Sequence, residues 1–217
     1  MNFHHVVLVG LSGSGKSTIG PRLARRLDLL FIDTDKTVVA RAGCPIDEIF
    51  ATRGEATFRA FEREAVREAI AGPRSVIATG GGAPVDPENF RQLWEGNAVI
   101  WLDAPMEVLI SRMEGSQRAG REKRPLLANG GARLRLPALL EARAPIYSQA
   151  HVRVETGVVR PEVVVTEIIR RVRPGQMRTR STSRVVASAS ASPPANAPSK
   201  SASLGRGKGG SVGRARD

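Results

Sequence analysis

Hydrophobic and polar positions follow two different spacings along the first 173 residues. Short apolar or β-branched runs fall at residues 6–10, 30–33, 75–78, 98–102 and 151–154. Each has the length and composition of a buried strand. Longer amphipathic segments separate them, and helices are expected to begin near Lys16, Ile46, Glu55, Pro87, Pro105, Pro137 and Pro161. Proline suits a first helical turn because its missing N–H would be unpaired there anyway. Strands alternating with helices predict a three-layer α/β/α domain over residues 1–173, with a central parallel sheet of about five strands covered on both faces. No internal repeat is visible.

The pattern stops near Pro174. Residues 174–217 are built from Ser, Ala, Gly, Pro and Arg, with one short apolar pair at Val185-Val186. Such a segment cannot bury enough apolar surface to offset its ordering entropy, so a basic, disordered tail is expected.

Charge sharpens this division. The chain of 217 residues carries a formal +12, which by itself suggests nucleic acid. The tail holds eight Lys/Arg and one acid, a net of +7; the domain holds twenty-five basic and twenty acidic residues, a net of +5. Within the domain, residues 112–135 alone hold seven basic residues and two acids. A local cluster of this kind suits a compact polyanion better than a long backbone, so nucleic acid is not expected to bind the domain, and weak anionic contacts are left to the tail. No apolar run approaches the ~20 residues that span a membrane. A strand begins almost at the N-terminus, leaving no room for a signal peptide. Cys44 is the only cysteine, so no internal disulfide forms, a reducing cytoplasm is expected, and a structural role fits the thiol.

The chemistry-bearing motifs start where the first strand ends. Gly10-Leu11-Ser12-Gly13-Ser14-Gly15-Lys16-Ser17 fits G-x-x-x-x-G-K-[ST] in full. Its glycines let successive backbone N–H groups face phosphate oxygens, Lys16 supplies a cation to the β/γ-phosphates, and the Ser17 hydroxyl can ligate Mg²⁺. Gly13, Ser14, Gly15, Lys16, Ser17 and Thr18 are the candidate ATP-binding residues, with the dipole of the following helix adding to the cradle. Asp33-Thr34-Asp35 follows the second strand, where open α/β sheets place their ligands. Read as extended backbone, the two acids point into one space, one near Mg²⁺ and one near an acceptor hydroxyl; a helix N-cap explains either acid equally well. Gly80-Gly81-Gly82 ends the third strand and leaves room for close approach of a substrate to the backbone. Arg124-Pro125-Leu126-Leu127 closes the basic stretch 112–127, which reads as a mobile lid able to deliver a cation to a transferring phosphoryl group. For Arg59 and Arg143, a solvated helix face fits the spacing as well as a functional role does.

Taken together, these residues resemble bacterial shikimate kinase, a small-molecule P-loop kinase family. The resemblance runs from about Phe3 to Arg173. It rests on the P-loop, on Phe31-Ile32-Asp33-Thr34-Asp35, on residues 50–62 (FATRGEATFRAFE), on Thr79-Gly80-Gly81-Gly82-Ala83, on Arg124-Pro125-Leu126-Leu127 and on Arg143-Ala144-Pro145-Ile146-Tyr147. It implies the P-loop kinase fold and transfer of a phosphoryl group from ATP to the 3-hydroxyl of shikimate, by a monomer using one Mg²⁺. It further implies that Lys16, Asp35 and Arg124 are catalytic, with Asp35 orienting the acceptor hydroxyl and Arg124 contacting ATP from the lid. Ser17 and Asp33 would serve Mg²⁺. Arg59 and Arg143 would hold the shikimate carboxylate, Gly81 would complete the acceptor pocket, and Arg112 would lie over the adenine. The nearest rival is another small-molecule P-loop kinase acting on gluconate or a nucleoside monophosphate. A more distant one is a nucleic-acid-binding protein that uses ATP as a switch.

Overall fold

Five strands form in the computed structural model, which describes residues 3–118 and 131–172. They are β1 (Val6–Val9), β2 (Leu30–Asp33), β3 (Ser75–Ala78), β4 (Ala98–Asp103) and β5 (Val152–Glu155). All pair in parallel, in the order β2-β3-β1-β4-β5. The central strand β1 is buried at every position, as its uninterrupted valine and leucine content requires of a strand covered on both faces.

Strand alternation divides the core into two layers. On one face Val6, Leu8, Val76, Ile100, Leu102, Val152 and Val154 pack against α1 (Lys16–Leu27) and α7 (Pro161–Val172) through Ile19, Leu23, Val164, Val165 and Ile168. On the other, Val7, Val9, Ile77, Val99 and Trp101 meet α3 (Ile46–Ala71), α4 (Pro87–Trp94), α5 (Met106–Arg118) and α6 (Gly131–Tyr147). Gly20 lets α1 sit close on the sheet, since a methyl group there would fall 2.2 Å from the Phe31 ring. A third cluster joins α3 to α2 (Thr34–Ala42), with Val38, Ile49 and Phe58 buried and Cys44 packed beside them. No helix among the described residues is long and apolar enough to cross a membrane.

Several expectations need correction. The helix α2 was not foreseen. Its polar, β-branched sequence TDKTVVARA conceals it, and Asp33 starts it as an N-cap, its Oδ1 accepting the Asp35 backbone N–H at 3.2 Å. The segment carrying Asp35 is therefore helical, not extended. The helices expected at Ile46 and Glu55 are continuous apart from a break at Gly54, whose φ of 79° and ψ of 170° no helix contains. Pro137 does not begin a helix: α6 starts at Gly131 and carries Pro137 inside it. The reason is the spacing of Ala132 and Leu136, one turn apart and both buried, which anchors the turns ahead of the proline. Residues 112–118, expected in the lid, belong to α5, and Met113 is buried in the core. The rest of the expected lid and the tail lie outside the described residues.

Candidate active site

The candidate residues that follow the strands gather at the carboxyl edge of the sheet, because a parallel sheet ends all its strands on one side. The phosphate cradle leaves β1 at Gly10, whose φ is 138° and whose Cα faces the Leu102 carbonyl so closely that a Cβ would lie 2.3 Å away. Only glycine fits there. Gly15 caps α1 in the left-handed region, at φ 96°, with no side chain occupying the helix start. The buried Lys16 ammonium rests within the loop, donating to the carbonyls of Gly10 at 2.8 Å and Leu11 at 2.9 Å. A cleft of about 490 Å³ opens over the loop and reaches from Gly13, Lys16, Ser17 and Thr18 to Asp33 and Asp35. Ser14 is buried behind it.

Arg112 from α5 closes the far wall of this cleft. Its guanidinium donates to Gly13 O at 3.2 Å and to the carbonyls of Thr156 and Gly157, both at 2.6 Å. Thr156 in turn donates its hydroxyl to Ser14 O at 2.8 Å. One cation and one hydroxyl thus tie the phosphate loop to the turn after β5, and Val159 of that turn with Pro161 at the start of α7 completes the wall.

Ser17 and Asp33 meet directly: the hydroxyl donates to Asp33 Oδ2 at 3.0 Å. Asp33 therefore caps α2 with one oxygen and faces the P-loop serine with the other. A hydroxyl and a carboxylate beside a phosphate cradle form a hard oxygen donor set, which suits Mg²⁺.

Asp35 lines the same cleft. The helical turn at the start of α2 separates it from Asp33 and aims it at the triple glycine, where a Cβ on Gly80 would lie 2.6 Å from Asp35 Oδ1 and 3.0 Å from Glu62 Oε1. A Cβ on Gly82 would stand 2.9 Å from Arg59 Nη1 and 3.5 Å from Arg143 Nη2; one on Gly81 would meet Arg143 Nη1 at 3.3 Å. None of the three glycines has positive φ, so the turn is glycine for room, not for backbone freedom. Around it the fold gathers Asp35, Arg59 and Arg143 from three helices. Arg124 lies outside the described residues.

Two participants escaped the sequence reading. Glu62 is only 2 % exposed and pairs with Arg59 Nη1 at 2.6 Å. Burial pushes its carboxyl above the usual range, against the pull of Arg59, and the nearby Asp35 pushes the same way. Its position three residues after Arg59 was the available signal, masked by the alternating charges of the surrounding helix. Thr34, fully buried, accepts the Gly80 backbone N–H on its hydroxyl at 3.1 Å, so the residue between the two acids holds the glycine turn in place.

The comparisons with known proteins agree with this geometry. A family model described as shikimate kinase matches residues 12–173. A shikimate kinase of Symbiobacterium thermophilum is 48 % identical over 166 residues, covering 76 % of this chain and 94 % of that protein. One from Paramagnetospirillum magneticum is 43 % identical over 164 residues, covering 76 % and 82 %. Among solved structures, the shikimate kinase of Acinetobacter baumannii in complex with shikimate superposes with a TM-score of 0.72 at 32 % identity, covering 78 % of this chain and 92 % of that one. With the family model spanning nearly the whole α/β domain and its relatives aligned almost end to end, this chain belongs to the shikimate kinase family.

Proposed function

We propose that this chain transfers the γ-phosphoryl group of ATP to the 3-hydroxyl of shikimate. The observation that carries the reading is the acceptor pocket itself. Two guanidiniums, Arg59 and Arg143, converge on a glycine turn whose other side meets the Asp35 carboxylate, beside a complete P-loop. Shikimate needs this arrangement: its carboxylate calls for a bidentate cation, and its hydroxyls call for a nearby acceptor.

In the mechanism we infer, the P-loop amides and Lys16 hold the β- and γ-phosphates of ATP. Arg59 and Arg143 anchor the acceptor carboxylate, so that the 3-hydroxyl sits at Asp35. Asp35 accepts a hydrogen bond from that hydroxyl and orients it in line with the γ-phosphorus. Phosphoryl transfer is chiefly a matter of positioning and charge stabilisation, so an orienting carboxylate and a nearby ammonium carry much of the effect. Ser17 and Asp33 would hold Mg²⁺, which neutralises charge on the phosphate oxygens when bound. Arg124 is the candidate to add a further cation from the segment between α5 and α6.

A coupled assay of ADP release with shikimate, gluconate and nucleoside monophosphates tests the assignment. Turnover with shikimate and none with the others is expected; turnover only with another acceptor would reassign the enzyme within small-molecule kinases.

A further inference from the structure

Tyr147 is the single tyrosine of the chain and the last residue of α6, and no part of it reaches solvent. Its ring lies in the core under β4, with Trp101 5.8 Å away between ring centroids. A buried phenol has to find a partner for its hydroxyl. Here the O–H donates to the carbonyl of Gly81, the middle residue of the acceptor turn. Arg143, one helical turn earlier on α6, faces the same residue: a Cβ on Gly81 would stand 3.3 Å from its Nη1. The side chain that holds the Gly81 carbonyl and the guanidinium that faces Gly81 therefore leave one turn of one helix.

The consequence for geometry is direct. In a trans peptide the carbonyl and the following N–H point in opposite directions within one plane. Tying Gly81 O down fixes the orientation of the Gly82 N–H, at the residue flanked by Arg59 and Arg143. Loss of the hydroxyl frees the peptide plane that Arg143 faces, while the ring still fills its place in the core. Thr34 holds the preceding residue, Gly80, by its backbone N–H, so the glycine turn is pinned at two successive residues.

We propose that Tyr147 is a positioning residue of the acceptor site, its hydroxyl setting Gly81 and Arg143 in one fixed relation before the acceptor carboxylate arrives. This rests on the reading of Arg59 and Arg143 as the carboxylate clamp for shikimate.

Tyr147→Phe removes the hydroxyl alone. The KM for shikimate is expected to rise about tenfold, the scale of one lost hydrogen bond to a charged group, with KM for ATP within about twofold. In an Arg143→Ala background the same substitution is expected to add less than about twofold, because both changes act at Gly81. Trp101→Phe, which disturbs the same packing and spares the hydroxyl, is expected to lower Tm without raising KM for shikimate. A single tyrosine also permits uniform labelling: with 3-fluorotyrosine in the full chain, the one ¹⁹F resonance is expected to shift on adding shikimate and saturate with it. A Tyr147→Phe enzyme with wild-type KM for shikimate, or with both KM values raised alike, would overturn the proposal while leaving the shikimate assignment intact. An unmoved ¹⁹F resonance at saturating shikimate would do the same. A wild-type enzyme that does not phosphorylate shikimate would overturn the assignment and this inference with it.

Discussion

Gly80→Ala is the sharpest perturbation of the acceptor side, because it puts a methyl group in place of a hydrogen at the point where two carboxylates approach the backbone. The new Cβ would lie 2.6 Å from Asp35 Oδ1 and 3.0 Å from Glu62 Oε1. Carbon–oxygen contacts are comfortable only beyond about 3.3 Å, so the Asp35 carboxylate must retreat by roughly 0.7 Å. Gly80 has no positive φ, hence alanine meets no backbone penalty and gains slightly from a less disordered unfolded chain. The clash is with the end of a side chain, which can rotate away, so the fold survives. What does not survive is alignment. A misplacement of about 1 Å at a reacting group costs on the order of 10²-fold, equivalent to about 2.7 kcal/mol of barrier.

The expected result in the coupled assay is a fall in kcat of about 10- to 100-fold, with KM for ATP unchanged and Tm within a few degrees of wild type. Gly82→Ala provides the contrast, since its Cβ would meet Arg59 Nη1 at 2.9 Å and no carboxylate among its three nearest atoms. That variant should raise KM for the acceptor more than it lowers kcat. A Gly80→Ala enzyme with kcat within about threefold of wild type would refute the reasoning that Asp35 acts from its present position. So would two glycine variants with the same kinetic signature.

Asp35→Asn should reduce kcat by orders of magnitude while ATP still binds by calorimetry, whereas Arg143→Ala should mainly raise KM for shikimate, by the roughly 1.5–3 kcal/mol of a charge-assisted hydrogen bond. Thr34→Val leaves the buried Gly80 N–H without its acceptor, so denaturant unfolding should show a loss of about 1–3 kcal/mol, with a lower kcat. At the opposite edge of the sheet, His5 Nδ1 accepts the Ser75 N–H at 3.2 Å and its Nε2 donates to Ile70 O at 3.1 Å, while His151 Nδ1 accepts the Val99 N–H at 3.0 Å. Burial holds both rings below the ordinary histidine range, and His4 and Arg74 press His5 the same way. The unfolded chain therefore binds more protons just below pH 6.5, so this contribution to stability is full above that pH and is lost as pH falls toward the folded-state values. Urea midpoints measured from pH 7.5 to 5 should fall for wild type and fall less for the His5→Asn, His151→Asn double variant.

How far the sequence reveals this site depends on what each residue's signal consists of. The inner strands β1, β3 and β4 were legible because a strand covered on both faces is apolar nearly throughout. The edge strands β2 and β5 were legible from short β-branched or aromatic runs that are only partly buried, and the P-loop because a phosphate cradle must have its glycines at fixed spacing. The helix α2 was not, because tertiary packing of Val38 and Ala42 against α3 stabilises a segment whose own residues favour helix weakly. Asp33 and Asp35 face one cleft, as expected, but an N-cap followed by a helical turn places them there and not the alternation of an extended segment. Glu62 and Tyr147 stayed hidden for a different reason. An acid in a charged helix and a tyrosine at a helix end look ordinary until a partner some twenty or more residues away is brought alongside.

The two halves of the site are held by opposite means, and this bears on what each tolerates. On the nucleotide side, cationic side chains secure backbone: Lys16 and Arg112 donate to the carbonyls of Gly10, Leu11 and Gly13. On the acceptor side, backbone makes room for side chains. The glycine turn is pinned by Thr34 and Tyr147, and four charged groups settle around it. The charges there are mutually dependent, because Glu62 is almost wholly buried and Arg59 is its closest cation. Removing Arg59 leaves a buried carboxylate without its main partner, a change that costs several kcal/mol in buried pairs unless Glu62 takes up a proton, which its raised pKa already favours. Arg143, by contrast, can be removed with the Arg59–Glu62 pair still in place. The two arginines proposed to clamp the acceptor carboxylate are therefore unequal: Arg59→Ala should lower both stability and acceptor affinity, and Arg143→Ala affinity alone. Equal losses of Tm in the two variants would contradict that asymmetry.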